Sequence, residues 1–177
     1  MRITEDQFLK AELEELNLTM DNKDFVALAI EVADYVKKLK PLSIIDYGCC
    51  TGVYSEVLRC KGLNIVAQDV FKSHSDYCKE NYPELRIIEE PEHAELMLFI
   101  EVAEHMTDEE IKTALGIIQP ETILFSSTPY KTDNDEDWGH INIKQESEWI
   151  AFFNDLGYSY QQHTNTPTKW ALLFVKI

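Results

Sequence analysis

The sequence predicts an α/β fold: a doubly wound, mostly parallel seven-stranded sheet that finishes in an antiparallel C-terminal hairpin. Three observations predict it. From residue 43 onward, short apolar runs alternate with stretches of helical spacing. The first five runs are continuously apolar, the pattern of strands covered by helices on both faces. The last two runs, 158–163 and 169–176, follow one another with no helix between them. They are joined through Asn165, Thr166 and Pro167 and read as a hairpin on the sheet edge.

Each element has its own signal. Phe8, Leu9, Leu13 and Leu16 repeat at near-helical spacing over residues 4–18, with acidic residues between them. Asp21 or Asn22 can cap a second helix, whose apolar set is Phe25, Leu28, Ala29, Val32, Val36 and Leu39 and which Pro41 stops. The strand runs are 43–47, 64–70, 85–88, 95–102 and 122–127, with helices at 51–60, 73–81 and 108–118 between them. A helix over 145–156 ends at Gly157, and its Trp149, Phe152 and Phe153 fall at core spacing. Residues 130–143 lack periodicity and carry Asp133, Asp135, Glu136 and Asp137, so they read as a long loop after the fifth strand.

A chain of 177 residues is expected to form a single domain (1–177), here with residues 1–40 as an N-terminal helical cap. With 16 Lys and Arg against 32 Asp and Glu, the formal charge is −16. Such a surface repels phosphate backbones and anionic lipid, which disfavours nucleic acid as a partner. Cys49, Cys50, Cys60 and Cys78 form no C-x-x-C pair, and two of them are adjacent, so reduced thiols are expected. The charged first ten residues have no apolar leader core, and no stretch approaches the roughly 18 apolar residues of a membrane span. The expectation is a soluble, cytoplasmic protein. His74, His93 and His163 read as surface residues.

The first strand, Ile44-Ile45-Asp46-Tyr47, runs into Gly48-Cys49-Cys50-Thr51-Gly52 and then a helix. Glycines there allow close approach of a ligand to backbone, and a helix N-terminus offers unpaired N–H groups. Asp69 follows 23 residues after Asp46, at the end of the second strand. In an open parallel sheet those strand ends flank a ligand crevice, where a carboxylate can accept both hydroxyls of a ribose.

These residues resemble the first motif of class I S-adenosylmethionine-dependent methyltransferases, acidic-x-Gly-x-Gly-x-Gly, matched at Asp46, Gly48 and Gly52. The resemblance runs from about residue 43 to the C-terminus and implies their Rossmann-like fold. It implies that Gly48 and Gly52 shape the turn under the methionine part of the cofactor, that Asp46 orients its amino group and that Asp69 holds its ribose. Glu89 and Glu90 follow the third strand, where relatives place residues near the adenine. The middle glycine of the motif is Cys50, whose side chain would cost about 1 kcal/mol of affinity if its φ must be positive.

A second cluster follows the fourth strand: Glu101, Glu104 and His105, with His140 in the loop beyond the fifth strand. Ionisable groups at a buried strand end are costly unless paired or metal-bound. A mixed O/N set of this kind suits Mg, Mn, Fe or Zn. The plainer alternative has Glu101 bonded to N–H groups of the next turn, with Glu104 and His105 exposed. The string Glu101-Val102-Ala103-Glu104-His105-Met106 resembles the E-V-x-E-H element of two families, the ubiquinone-biosynthesis O-methyltransferases and the small-RNA 3′-terminal 2′-O-methyltransferases. The resemblance implies one divalent cation held by Glu101, Glu104, His105 and His140. It also implies His105 or His140 as the catalytic base, with Glu101 in addition near the cofactor. The stretches Ser126-Ser127-Thr128-Pro129 and Trp138-Gly139-His140 resemble the small-molecule branch more closely.

Two further readings compete with a small-molecule O-methyltransferase. An RNA-terminal methyltransferase would need a basic groove, which this composition disfavours. A methyltransferase-fold binding protein would have lost its cofactor through Cys50.

Overall fold

A computed structural model describes residues 4–131, 138–162, 166–168 and 171–177. Helix α1 (Glu5–Glu14) starts where the Thr4 hydroxyl accepts from the Gln7 N–H and the Gln7 side chain accepts from the Thr4 N–H, a reciprocal cap. Helix α2 (Lys23–Leu39) starts where Asn22 Oδ1 accepts from the N–H groups of Asp24 and Phe25. It buries Ala29, Val32, Ala33 and Val36 and ends at Lys40, left-handed at φ +56° just before Pro41. Strands β1 (Ile44–Tyr47), β2 (Ile65–Gln68) and β3 (Arg86–Ile88) alternate with helices α3 (Val53–Cys60) and α4 (Lys72–Asn81). β1 pairs parallel to β2, with Asp46 opposite Ala67, and β2 pairs parallel to β3.

Strand β4 (Leu96–Ile100) is followed by a 3-10 turn (Ala103–His105) and helix α5 (Asp108–Ile118), which Thr107 and Glu110 cap reciprocally. Strand β5 (Thr122–Ser126), helix α6 (Glu146–Asp155), strand β6 (Tyr158–Tyr160) and strand β7 (Leu172–Lys176) complete the set. β4 and β5 are parallel, β7 runs antiparallel to β5, and β6 antiparallel to β7. The core here is aromatic. Phe125 packs edge-on against Trp149, Phe153 and Phe99 at centroid distances of 5.1, 5.0 and 5.8 Å.

The seven strands run in the order β3-β2-β1-β4-β5-β7-β6, the mixed, mostly parallel α/β sheet that the alternation predicts. The chain divides into two compact units, Thr4–Pro91 and Glu92–Ile177. No helix among the described residues is long and apolar enough to cross a membrane.

Several details correct the sequence reading. Helix α3 begins at Val53 rather than residue 51, because the glycine turn takes up Thr51 and Gly52. Helix α1 stops at Glu14, short of Leu16, which is exposed. The final hairpin lies at the sheet edge as expected, with β7 beside β5 and β6 outermost. His74 is not a surface residue; it is 1% exposed. Of the long loop, residues 132–137 lie outside the described residues, as do His163 and Asn165.

Candidate functional site

In the unit Thr4–Pro91, the turn after β1 is built on positive φ. Gly48, Cys50 and Gly52 stand at +75°, +54° and +77°. The left-handed region is open to glycine and costs an L-residue roughly 1–2 kcal/mol, so Cys50 occupies a position whose geometry favours glycine. Gly52 also has no room for a side chain, since a Cβ there would lie 2.7 Å from Cys78 Sγ and 3.2 Å from the Tyr82 ring. The turn is anchored on the end of β2: the N–H groups of Gly48 and Cys49 donate to the Gln68 carbonyl at 2.8 and 2.9 Å.

Asp69 organises the corner beside that turn. Its Oδ2 accepts from the Cys50 N–H at 3.0 Å and its Oδ1 from the Phe71 N–H at 2.9 Å. Burial raises its pKa, while the charge of His74 and the two N–H groups favour its ionised form. Asp46 is buried and accepts from the Ser55 hydroxyl at 2.6 Å. Desolvation still pushes its pKa up to about 6. Asp46, Gly48, Cys50, Gly52 and Asp69 therefore fall at the C-terminal ends of two paired parallel strands. Ser55, Glu12 and His74 join this corner unannounced. Glu12 hydrogen-bonds His74 at 2.7 Å across 62 positions, a pairing that no local spacing signals.

In the unit Glu92–Ile177, the second cluster gathers after β4. Glu104 is 1% exposed in the 3-10 turn. Its Oε1 accepts from the Thr128 N–H at 3.3 Å, and its Oε2 is buried with no hydrogen-bond partner among the described residues. Burial, then the neighbouring Glu101 carboxylate, drives its pKa up to about 8. His105 and His140 lie beside it, their ring centroids 4.8 Å apart. One ligand atom from each of Glu104, His105 and His140 lies within 4.8 Å of the others.

Glu101 falls outside that group of three. It sits at φ +54°, and its carboxylate accepts from the hydroxyls of Ser126 at 2.7 Å and Thr128 at 2.9 Å. The plainer alternative for the cluster is thereby reversed: Glu104 is the buried carboxylate and Glu101 the exposed one. His140 reaches the cluster because the chain after it docks on Glu104, whose carbonyl accepts from the N–H groups of Ile141 and Asn142 at 2.8 and 3.0 Å. Asn142 then donates to the Met106 carbonyl at 2.8 Å and to Asp108, which Lys144 also holds at 2.6 Å. Gly139, at φ +71°, makes the bend that brings His140 in beside His105.

Comparison with known proteins adds the family. A family model described as "Methyltransferase domain" matches residues 15–163. No curated protein matches the chain by sequence. Among solved structures, magnesium protoporphyrin IX methyltransferase from Synechocystis with bound S-adenosylhomocysteine superposes with a TM-score of 0.65 at 14% identity, covering 98% of this chain and 100% of that one. A TehB-like S-adenosylmethionine-dependent methyltransferase from Corynebacterium glutamicum gives 0.67 at 14% identity, over 98% and 100%. An O-methyltransferase family protein from Burkholderia thailandensis gives 0.65 at 12%, over 97% of this chain and 58% of its own. At these identities the likeness is one of fold.

Proposed function

The chain belongs to the methyltransferase-domain family, class I enzymes dependent on S-adenosylmethionine, and on that premise we propose that it methylates an oxygen of a small molecule. In this reading Asp46, Gly48, Cys50, Gly52 and Asp69 hold the methyl donor, while Glu104, His105 and His140 act on the acceptor. The observation that carries the second half is the convergence of those three side chains around a buried carboxylate oxygen that has no hydrogen-bond partner among the described residues.

A sulfonium methyl carries its own excellent leaving group, so the protein's task is alignment and removal of the acceptor proton. An imidazole beside a carboxylate suits proton removal, and His105 and His140 are the candidates. The acidic composition, with its −16 charge, favours a small acceptor over RNA. Among the structural neighbours, three carry O-methyltransferase in their names.

The same three residues fit a divalent cation by chemistry: one carboxylate and two imidazoles, with an orphan oxygen that a cation would satisfy. Ligands about 2.1 Å from one ion lie at most roughly 4.2 Å apart, so the half-exposed imidazoles would have to turn inward. When bound, such an ion would lower the effective pKa of an acceptor hydroxyl. Glu101, tied to Ser126 and Thr128, would support Glu104 rather than complete the set.

Crystals soaked in Mn²⁺ test the metal through anomalous scattering, with a peak expected among Glu104, His105 and His140. No peak there removes the cation and leaves an imidazole base. Methyl transfer from labelled S-adenosylmethionine to a panel of hydroxylated and amino acceptors tests the acceptor atom. Transfer to amines alone would overturn the oxygen assignment.

A further inference from the structure

A buried carboxylate–imidazole pair joins the N-terminal helix to the corner assigned above to the methyl donor. His74 Nε2 lies 2.7 Å from Glu12 Oε2, and the two residues are 1% and 5% exposed. Burial, and after it the Glu12 charge, raises the pKa of the Cys50 thiol, so the carboxylate that pairs with His74 also acts on the glycine turn. Around the pair, the Phe71 ring packs on His74 at 5.3 Å and Phe8 of α1 at 6.1 Å. Two turns earlier in α1, Glu5 accepts from the Ser73 N–H at 3.2 Å and from the Ser73 hydroxyl. The segment beyond α1 is tied to the same turn, since the Thr51 hydroxyl donates to the Leu18 carbonyl at 2.5 Å.

We propose that Glu12 and His74 are positioning residues for the methyl donor: the pair clamps α1 onto the corner formed by Cys50, Phe71 and Asp69 and holds that corner in its binding conformation. The proposal rests on the assignment of Asp69 and the glycine turn to the cofactor. Two apolar side chains would fasten α1 to α4 without desolvating charge, and a buried ion pair is a poor source of stability. Its placement is what is informative. Cys50 gives its N–H to Asp69, and so does Phe71, whose ring packs on His74. The imidazolium also lies near enough to Asp69 to favour its ionised form, the form that accepts hydrogen bonds from a ribose.

The charged and titratable groups facing His74 are Glu12 and Glu5 from α1 and Asp69 from the end of β2. Burial disfavours the imidazolium, but the Glu12 hydrogen bond and the charges of Asp69, Glu12 and Glu5 outweigh it, so His74 titrates above its ordinary range. The clamp is therefore complete below neutral pH and loosens as pH rises through that raised value.

The test is calorimetric titration of S-adenosylhomocysteine into the wild-type protein, His74→Gln, Glu12→Gln and the double variant, from pH 6 to pH 9. Titration of the ligand's own amino group is common to all four proteins and cancels in their affinity ratios. His74→Gln should bind about tenfold more weakly at pH 7. The ratio of wild-type to variant affinity should shrink towards one by pH 9. The double variant should be no worse than the weaker single variant, because the pair acts as a unit. A constant affinity ratio from pH 6 to pH 9, or equal affinities with only a lowered melting temperature, would overturn the proposal. Should His74→Gln not fold, Glu12→Gln carries the same comparison, since its amide oxygen still accepts from His74. An Asp69→Ala control separates the two levels. If it binds as wild type does, the cofactor assignment itself fails and takes the clamp with it; if it loses binding while the His74 and Glu12 variants do not, the clamp alone fails.

Discussion

The two units carry different kinds of site. In Thr4–Pro91 the candidate site is a backbone shape, a turn with three residues at positive φ that the N–H groups of Gly48 and Cys49 tie to Gln68 and the N–H of Cys50 ties to Asp69. In Glu92–Ile177 it is a meeting of side chains, and the central one, Glu104, has an oxygen with no partner among the described residues. In the first kind the buried carboxylates Asp46 and Asp69 both accept hydrogen bonds from the protein. The second is left with an unmet demand that a substrate hydroxyl, a proton or a cation can fill. The first site should fail when its turn is distorted, and its affinity should also depend on the Asp69 carboxylate beside that turn. The second should respond chiefly to changes in its ionisable side chains.

Gly52→Ala breaks the comparison most directly. The new Cβ meets Cys78 Sγ at 2.7 Å on a backbone at φ +77°. Strain and overpacking together should destabilise the fold by about 2–4 kcal/mol, read from urea denaturation. A cost below about 0.5 kcal/mol would show that the turn adapts.

Asp46→Asn probes a charge that the backbone site carries at a cost. Because burial raises Asp46 to about 6, its contribution to stability is fully present below its ordinary unfolded pKa and is lost as pH rises through 6. Wild-type stability should therefore fall between pH 5 and pH 7 by about 1 kcal/mol, a slope that Asp46→Asn abolishes. The amide oxygen can still accept from Ser55. Denaturation midpoints at the two pH values check this, and identical pH slopes in both proteins would contradict it.

Cys50→Gly is the smallest change. It relieves an L-residue at φ +54° and should stabilise the protein by up to about 1 kcal/mol, after the entropy of a freer unfolded chain is offset. Affinity for S-adenosylhomocysteine should stay equal or improve. A marked loss would assign the thiol a role of its own.

The difference between the units also explains what could be read from sequence. The backbone site follows from order along the chain: an apolar run, small residues at fixed offsets and an acid at the end of the next run place Asp46, Gly48, Gly52 and Asp69 on neighbouring strand ends. The fold was legible for the same reason, since periodicity is local. Strand order at the C-terminal edge was not, because insertion of β7 between β5 and β6 is decided by long-range packing around Phe125 and Phe174. The Glu/His cluster was legible as composition and not as geometry. Nothing in the spacing distinguishes Glu104, which the 3-10 turn buries, from Glu101, which its left-handed φ directs to Ser126 and Thr128. His74 was misread because Glu12, the partner that permits its burial, lies in another helix 62 residues away.

We propose a division of labour, with the methyl donor held by residues of Thr4–Pro91 and the acceptor chemistry performed by residues of Glu92–Ile177. The most direct measurement is S-adenosylhomocysteine titration into wild-type protein, Asp69→Ala and Glu104→Gln at pH 7. Wild type should bind, Asp69→Ala should lose about 1.5–3 kcal/mol because charge-assisted hydrogen bonds disappear, and Glu104→Gln should bind as wild type does. An Asp69→Ala protein that is folded and binds unchanged, or a Glu104→Gln protein that loses the ligand, would contradict the account.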